Sequence, residues 1–339
     1  MTAFIIRRIL WMFLVLFSLS VIVFILMHSV PGGPFTREKK LPPQTVALLE
    51  QKYNLNDPFH IQYLNYIGDI VVPRVTYGRQ RPNAAEDYLI QIPLPALFGE
   101  EAVLRWVNFG PTYKSRSRSV NDIFRENLPV STQLGVAALA VALAIGVPLG
   151  IFSALNRNTL YDYLGMGIAV VGVSVPVIIT APLLQYLFGV QLGWLPVSGW
   201  GTLAHMIMPA FALGFVSSAL IARLTRASLL QVLFEDYIRT ARAKGLSERA
   251  VIVFHALKNG LIPVVTVLGP LFAALITGTF VVETVFGIPG MGRYFVTSVT
   301  GRDYPVIMGT LLLYAAFLVV ANLVVDIAYA WLDPRIRFD

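Results

Sequence analysis

Six apolar runs, each close to the length that crosses a lipid bilayer, constrain how this chain can fold more than any other feature. A helix needs about 20 predominantly apolar residues to cross the hydrocarbon core. Lipid offers no hydrogen-bond partners, so the backbone groups of such a run must pair with one another, and a helix satisfies this need. The runs predict six transmembrane helices, at residues 9–27, 129–155, 163–187, 202–221, 264–282 and 305–331.

The composition agrees with a membrane protein. Of the 339 residues, 56% are hydrophobic and 13% are charged, whereas a soluble domain carries about 25% charged residues. Surface charge is therefore too scarce for a water-soluble protein of this size. The chain has no cysteine, which excludes disulfides and thiolate metal sites. The predicted fold class is an all-α integral membrane protein.

Basic residues in the short loops predict which helix ends face the cytoplasm. Lys and Arg concentrate on the cytoplasmic side of short loops, whereas long loops cross the membrane largely regardless of charge. With six spans, one side of the membrane receives Arg7, Arg8, Arg157, seven basic residues from Arg223 to Lys258, Arg335 and Arg337. Both termini are therefore predicted to be cytoplasmic.

This topology divides the chain into four parts. They are a first transmembrane helix at residues 1–30, an extracytoplasmic segment at 31–127, a five-helix core at 128–333 and a cytoplasmic tail at 334–339. Apolar residues recur at helical spacing in residues 44–53 and 58–70. The extracytoplasmic segment is therefore predicted to be a small folded cap that contacts an external protein.

The charged stretch at residues 235–263, EDYIRTARAKGLSERAVIVFHALKNGLIP, lies between two apolar runs. Gly245 can adopt the left-handed conformation that ends a helix, and Ser247 can cap a second helix. Ala241 and Gly245 lie four residues apart on one face, so basic side chains would flank a small-residue surface suited to a groove on another protein. An ordinary basic loop held inside by its charge is the alternative. A DNA-binding helix-turn-helix is disfavoured, because flanking spans leave it little freedom to enter a groove.

Three stretches resemble one family of membrane proteins: PGGPF at residues 31–35, RTARAKG at 239–245 with HALKN at 255–259, and ETVFGIPGMG at 283–292. The chain resembles the permeases of binding-protein-dependent ABC importers, in particular their oligopeptide and dipeptide branch. The family loop carries a Glu, two Ala and a later Gly, and the residues at those positions here are Arg239, Thr240, Ala241 and Gly245. The resemblance covers nearly the whole chain apart from residues 71–107, which look like an insertion.

The resemblance implies a non-catalytic translocation subunit of type I ABC importer architecture that takes up peptides. Its implied partners are a homologous second permease subunit, two cytoplasmic ABC ATPase subunits and an extracytoplasmic peptide-binding protein, besides membrane lipid and the peptide; no nucleic acid is expected. No cofactor is expected on this chain, because ATP and Mg would bind to the ATPases. The residues implied to couple to the ATPases are Tyr237, Arg239, Thr240, Ala241, Arg242, Ala243, Lys244, Gly245, Leu246 and Ser247.

The resemblance also places a glycine-rich loop beside the outer part of the translocation path. The implied outer gate residues are Glu283, Gly287, Pro289, Gly290 and Gly292. A tight turn at the end of a span is the alternative. Polar residues within the predicted spans could line a path for peptide backbones, although helix–helix hydrogen bonding explains them equally well; they are Ser174, Thr266, Thr277 and Asn322.

Other chemistries find little support in the sequence. No GxxxxGK[ST] run is present to cradle nucleotide phosphates, and the four histidines do not pair at metal-ligand spacing. Asp326, within the last span, is expected to pair with a basic residue of the inner loops rather than carry protons. Two alternatives stay open: import of another solute such as nickel or glutathione by the same superfamily, and an ATPase-independent secondary carrier or channel. ATPase-dependent uptake would separate the last class from the others.

Overall fold

A computed structural model describes residues 2–35, 42–77, 87–97, 100–115, 117–277 and 279–332 of the chain. Its N-terminal part contains three helices: α1 Thr2–Ser29, α2 Pro43–Lys52 and α3 Phe59–Val71. Three strands follow: β1 Arg74–Tyr77, β2 Ile90–Leu97 and β3 Glu100–Trp106.

The rest of the described chain is helical, with short breaks. The first group of helices is α4 Val120–Leu155, α5 Leu160–Ser174, α6 Val177–Leu184, a π-helical segment Gln185–Gln191 and α7 Leu203–Val232. The second group is α8 Asp236–Ala243, α9 Glu248–Ala250, a π-helical segment Val251–Ala256, α10 Leu257–Gly260, α11 Ile262–Thr277, α12 Phe280–Phe286, α13 Gly292–Thr300 and α14 Tyr304–Leu332.

Four of these helices are long and apolar enough to cross a membrane, namely α1, α4, α7 and α14. Two further pairs would each make one bent span: Leu160–Ser174 with Val177–Gln191, and Glu248–Gly260 with Ile262–Thr277. Each of the six predicted runs overlaps one of these elements. The described residues therefore hold four to six candidate spans, as expected for a multi-pass helical membrane protein.

The third predicted span is broken into two helices. Its two halves meet at an angle of 98°. The break lies at Val175, which has extended backbone with a ψ of 114° and precedes Pro176. A residue before proline is pushed out of the helical region, and proline itself offers no N–H to the helix. Pro182, in contrast, lies inside α6 without ending it.

The fifth predicted span is shorter than expected. α11 ends at Thr277 rather than at residue 282. Two short helices, α12 and α13, then fill most of the interval before α14. The connection between the fifth and sixth predicted spans is therefore largely structured.

The all-α class is wrong for part of the extracytoplasmic segment. β1, β2 and β3 form an antiparallel sheet in the order β1-β3-β2, so β3 is the central strand. Its Leu104 pairs with Val75 of β1 and with Ile92 of β2. Proline has no N–H to donate to a neighbouring strand, so it is confined to the edges of sheets. β2 is an edge strand, and it contains Pro93 and Pro95.

The chain packs into two compact units. One consists of Met1–Leu10, Val130–Gly292 and Ala316–Asp339, and we call it the core unit. The other consists of Trp11–Pro129 and Arg293–Ala315, and we call it the cap unit.

Glycines of α4 in the core unit let α7 approach closely. A Cβ atom at Gly146 would lie 2.6 Å from the carbonyl oxygen of Ser218, and one at Gly150 would lie 2.6 Å from that of Ala222. Side chains at these positions would therefore separate the two helices. Small residues at helix contacts are typical of membrane proteins, where close packing replaces the hydrophobic effect between helices.

The cap unit is folded, as the sequence predicts. Asp303, just before α14, accepts hydrogen bonds from the Thr112 hydroxyl and, at 3.1 Å, from the Tyr113 N–H. Lys114 Nζ donates to the carbonyl oxygen of Thr297 at 2.9 Å. Burial raises the pKa of Asp303, and the two hydrogen bonds oppose that rise. Contact of this unit with a peptide-binding protein stays a prediction.

Candidate functional site

The charged loop at residues 235–263 forms helices that meet at a tight turn. α8 ends at Ala243, and Gly245 has a φ of 77°, in the left-handed region that glycine adopts without strain. Ser247 then caps α9, because its side chain accepts a hydrogen bond from the Ala250 N–H. The predicted break and the predicted cap are both confirmed.

The predicted docking face is wrong at one residue. Ala241 is 5% exposed and packs with Ile238, Leu229 and Val251 in a buried cluster. The apolar stripe of α8 therefore faces the core of its own unit, as in any amphipathic surface helix. Gly245 is exposed, and nothing lies within 4 Å of the place where its Cβ would be. The turn, rather than α8 as a whole, is the accessible small-residue feature.

The exposed surface of the loop is mainly basic and polar. Its predicted coupling residues with exposed side chains are Tyr237, Arg239, Thr240, Arg242, Ala243, Lys244, Leu246 and Ser247. The side chain of Arg239 is 69% exposed. Phe254, which the sequence analysis did not single out, is 72% exposed. A single aromatic residue in a stretch of mixed polar and apolar residues does not by itself indicate a contact site. Only the structure therefore identifies Phe254 as a candidate contact residue.

Two side-chain contacts hold the shape of the loop. Arg242 donates to the Glu248 carboxylate from Nε at 3.1 Å and from Nη2 at 2.6 Å, which bridges the break at Gly245. Asn259 donates to the Tyr237 hydroxyl at 2.9 Å, which ties α10 to α8. Bidentate guanidinium–carboxylate pairs fix the relative orientation of the two side chains as well as their distance. The loop is therefore a braced element, and we call the Arg242–Glu248 pair the brace.

The glycine-rich run at residues 283–292 begins with a defined helix end. α12 ends at Phe286, and Gly287 has a φ of 64°. The Ile288 N–H donates to the Glu283 carbonyl at 2.8 Å, and the Gly287 N–H donates to the Thr284 carbonyl at 3.4 Å. These are the two bonds of a Schellman motif. The interpretation as a tight turn is correct for the backbone, and the gate role stays a prediction.

A buried carboxylate lies behind this turn. Glu283 is 1% exposed, and its Oε1 accepts hydrogen bonds from Ser131 Oγ at 2.8 Å and Thr279 Oγ1 at 2.6 Å. Its Oε2 accepts from the Gly292 N–H at 2.8 Å, and Ser131 Oγ accepts from the Met291 N–H at 2.8 Å. A buried carboxylate is costly unless donors surround it. We call this set the Glu283 network; it joins α4, the start of α12 and the far end of the turn.

The same carboxylate explains Gly290, because a Cβ atom there would lie 2.2 Å from Glu283 Oε1. A Cβ atom at Gly292 would meet the backbone nitrogen of Phe280 first, at 2.6 Å, and Glu283 Oε2 at 2.9 Å. Ser131 was not predicted as a partner, because 152 residues separate it from Glu283 and no local pattern links them. Thr279 was not predicted either.

The polar residues within the predicted spans bond mainly to their own helices. The hydroxyls of Ser174, Thr266 and Thr277 donate to the carbonyl four residues earlier, at 2.8, 3.0 and 2.7 Å. Such a bond satisfies the hydroxyl donor without a partner on another helix. Thr266 Oγ1 also accepts from the Tyr329 hydroxyl of α14, which is a helix–helix hydrogen bond. Asn322 of α14 faces Gly269 of α11. A pathway role for these four residues stays a prediction.

Acidic side chains within the candidate spans have basic partners. Asp326 pairs with Arg8, a basic residue as predicted, although Arg8 belongs to the N-terminal helix α1 and not to an inner loop. Asp162, which lies outside the predicted spans, is 1% exposed and accepts from Arg226 Nε at 2.7 Å and Nη2 at 2.6 Å. Within the described ranges, no group of three or more His, Asp or Glu side chains could hold a metal ion.

Two family models match this sequence. The one described as "Binding-protein-dependent transport system inner membrane component" matches residues 146–338. The one described as "Binding-prot-dependent transport system membrane comp, N-term" matches residues 1–85. The first covers more than half of the chain and includes both the charged loop and the Glu283 turn.

Characterised proteins with similar sequences match from end to end. The dipeptide transport system permease protein DppB of Bacillus subtilis (strain 168) is 41% identical over 337 residues, which are 99% of this chain and 98% of that protein. The oligopeptide transport system permease protein OppB of Escherichia coli (strain K12) is 41% identical over 340 residues, which are 100% of both chains.

Solved structures give a more distant match. A structure titled as an inward facing conformation of the MetNI methionine ABC transporter aligns with a TM-score of 0.53 and 17% sequence identity. The alignment covers 62% of this chain and 96% of that chain. At this identity the likeness concerns the fold alone.

Proposed function

The chain belongs to the family of binding-protein-dependent transport system inner membrane components, and we propose that it is a pore subunit of an ABC importer that takes up peptides. The observation that carries the proposal is the 41% identity, along the full length, with permeases named for oligopeptide and dipeptide transport. Such a subunit is not an enzyme. ATP hydrolysis belongs to separate subunits, so this chain carries no nucleotide site of its own.

Besides this chain and lipid, the proposed assembly has three kinds of component. A homologous second permease completes the pore, two cytoplasmic ATPases bind ATP and Mg, and an extracytoplasmic protein delivers the peptide. The proposed location is the inner membrane of a prokaryote. The proposed topology has six spans, four of them continuous helices and two of them bent pairs, with both termini in the cytoplasm.

The charged loop is the proposed contact with an ATPase. ATP binding would close the ATPases and displace the loop, and the spans would then move between inward-open and outward-open arrangements. The loop can transmit such a displacement to the spans only if it moves with them as one rigid body. The brace across Gly245 and the buried cluster beneath α8 support this role, because they couple the exposed turn to the helices of the core unit.

Purification of the intact complex tests the proposed function. The complex is expected to contain a second permease and two ATPases, and peptides are expected to be the solutes recovered with the binding protein. Reconstituted in vesicles, it should take up a peptide only when ATP and the binding protein are both present. Uptake without ATP would contradict the proposal and would favour a secondary carrier or channel.

The proposed topology predicts opposite labelling at two positions. The chain has no cysteine, so single cysteines can be introduced without removing any. Lys244→Cys, exposed beside the turn, should react with a membrane-impermeant maleimide only in inverted vesicles. Ser117→Cys, exposed in the cap unit, should react in intact cells. Labelling of Lys244→Cys from outside intact cells would show that the assigned orientation is wrong.

The brace predicts a charge-swap rescue. Arg242→Glu places two carboxylates at the break and should reduce peptide uptake several-fold; Glu248→Arg should do the same through two guanidinium groups. The double variant Arg242→Glu with Glu248→Arg restores an attractive pair and should recover most uptake. An exposed pair contributes about 0.2–1 kcal/mol, so the effect is on loop geometry rather than on folding. If the double variant is as impaired as the Arg242→Glu variant, the charge of Arg242 acts outside the loop.

A further inference from the structure

Within the cap unit, α3 packs along the candidate transmembrane helix α1. Tyr63 of α3 shares a 2.7 Å hydrogen bond with Ser20 Oγ of α1, and its ring packs 5.3 Å from that of Phe24 and 6.5 Å from that of Phe17. Ser20 is seven residues before Met27, where the apolar run of α1 ends. At 1.5 Å per residue, the Tyr63 hydroxyl lies about 10 Å inside that end.

This depth lies within the outer half of the membrane. Half of a hydrocarbon core is about 15 Å thick. Helices that lie in the membrane interface are buried by about 5–10 Å. The first residue of α3, Phe59, packs against His28 at the outer end of α1, with ring centroids 5.1 Å apart. The helix that carries Tyr63 therefore lies at the level of the interface, not above it in water.

The surface of α3 that faces away from the unit is apolar. Ile61, Leu64, Gly68 and Val71 recur at a spacing of three and four residues, so they share one face. Leu64 is 64% exposed and Val71 is 57% exposed, and nothing lies within 4 Å of a Cβ built at Gly68. Exposed apolar side chains that are contiguous on one face mark a surface that meets lipid or another protein.

The polar groups of α3 lie mostly on the other side. Its single charged residue, Asp69, and Gln62 line a cavity of about 280 Å³ inside the cap unit. His60 and Asn65 are the polar residues at the margins of the exposed face. Trp106, 41% exposed, donates from its indole N–H to the Val71 carbonyl at the end of the helix. Tryptophan is enriched where a protein surface meets lipid headgroups.

We propose that α3 is an interfacial helix whose Ile61–Leu64–Gly68–Val71 face contacts the acyl chains of the outer leaflet. Continuity with the lipid-facing helix α1, the depth of Tyr63 and the adjacent Trp106 favour lipid over a protein partner. A peptide-binding protein would therefore contact other surfaces of the cap unit. The inference rests on the proposed membrane topology, and the experiment below separates the two.

Nitroxide accessibility in the reconstituted complex tests the proposal. Single cysteines at Ile61, Leu64 and Gly68 are spin-labelled, with Ile25 on exposed α1 as the lipid reference and Ser117 as the water reference. Collision rates are measured with oxygen, which concentrates in lipid, and with a nickel chelate, which stays in water. The oxygen-to-nickel ratio at the three α3 sites is expected to approach that at Ile25 and to exceed that at Ser117 several-fold.

Each other outcome overturns the proposal. A ratio like that at Ser117 would place the α3 face in water. Low collision rates with both reagents would mean that a protein subunit covers it. A water-like ratio at Ile25 itself would contradict the proposed position of α1 in the membrane, and would refute the topology together with the inference. Copurification of the labelled chain with its partner subunits confirms that each variant is assembled.

Discussion

Gly245→Val is expected to abolish peptide uptake while the assembled complex remains in the membrane. Gly245 has a φ of 77°, and a β-branched residue is a poor fit to that conformation. Backbone held in so sparsely populated a region costs about 1–3 kcal/mol. The turn would relieve this cost by changing shape, which would misplace the surface proposed to contact the ATPase. Because the turn is exposed and outside the predicted spans, insertion and assembly should survive.

Two control variants separate backbone strain from added bulk. Gly245→Asn adds a side chain of similar size, yet asparagine tolerates the left-handed region, so uptake should be partly retained. Ala243→Val adds the same branched side chain two residues away, at a helical position, and should reduce uptake only modestly. The measurements are peptide uptake and binding-protein-stimulated ATPase activity in proteoliposomes. Full uptake by Gly245→Val would refute a coupling role for the turn.

Glu283→Ala is expected to destabilise the complex and to stop uptake. The variant removes the acceptor of the Ser131 hydroxyl, the Thr279 hydroxyl and the Gly292 N–H, all buried. A buried donor left without an acceptor costs about 1–3 kcal/mol, so the combined effect is large. Of the hydrogen bonds in the Glu283 network, only that from the Met291 N–H to Ser131 Oγ would still attach the turn at residues 287–292 to α4. Thermal unfolding of the purified complex and peptide uptake measure the two consequences.

A second substitution shows whether the glycines exist to accommodate this carboxylate. Gly290→Ala alone should also be destabilising, because its Cβ would lie 2.2 Å from Glu283 Oε1. In the double variant that clash is absent, so Gly290→Ala should add little to the effect of Glu283→Ala. Neighbouring residues that share a contact are expected to be non-additive in this way. Additive losses of stability would show that Gly290 is needed for a different reason.

Prediction from the sequence succeeded where the controlling interactions are local. The turn at Gly245 and the cap at Ser247 depend on residues within one or two helical turns, and both could be derived from residue type. The positions of the apolar runs are likewise a property of each segment alone. The break at Val175 was not predicted, because proline weakens a helix while the surrounding packing decides the angle.

Prediction failed where the partner of a residue is far away in the chain. Ala241 is a small residue on a charged helix, and nothing local shows that it faces a buried cluster. Asp162 lies between two predicted spans, yet Arg226, 64 residues later, gives it a buried partner. The sheet of the cap unit also escaped prediction, because β1 is only four residues long and two prolines interrupt β2.

The sequence by itself determined that this is a multi-pass membrane protein of the peptide-importer permease family, and it located the turn at Gly245. Burial in lipid and backbone conformation at glycine are properties of short segments, so composition and spacing suffice to derive them. Only the tertiary structure decided that Glu283 joins Ser131 to the glycine-rich turn, and that α3 lies alongside α1. Such contacts depend on which distant segments the fold brings together, and a buried polar group becomes interpretable only when its partners are known.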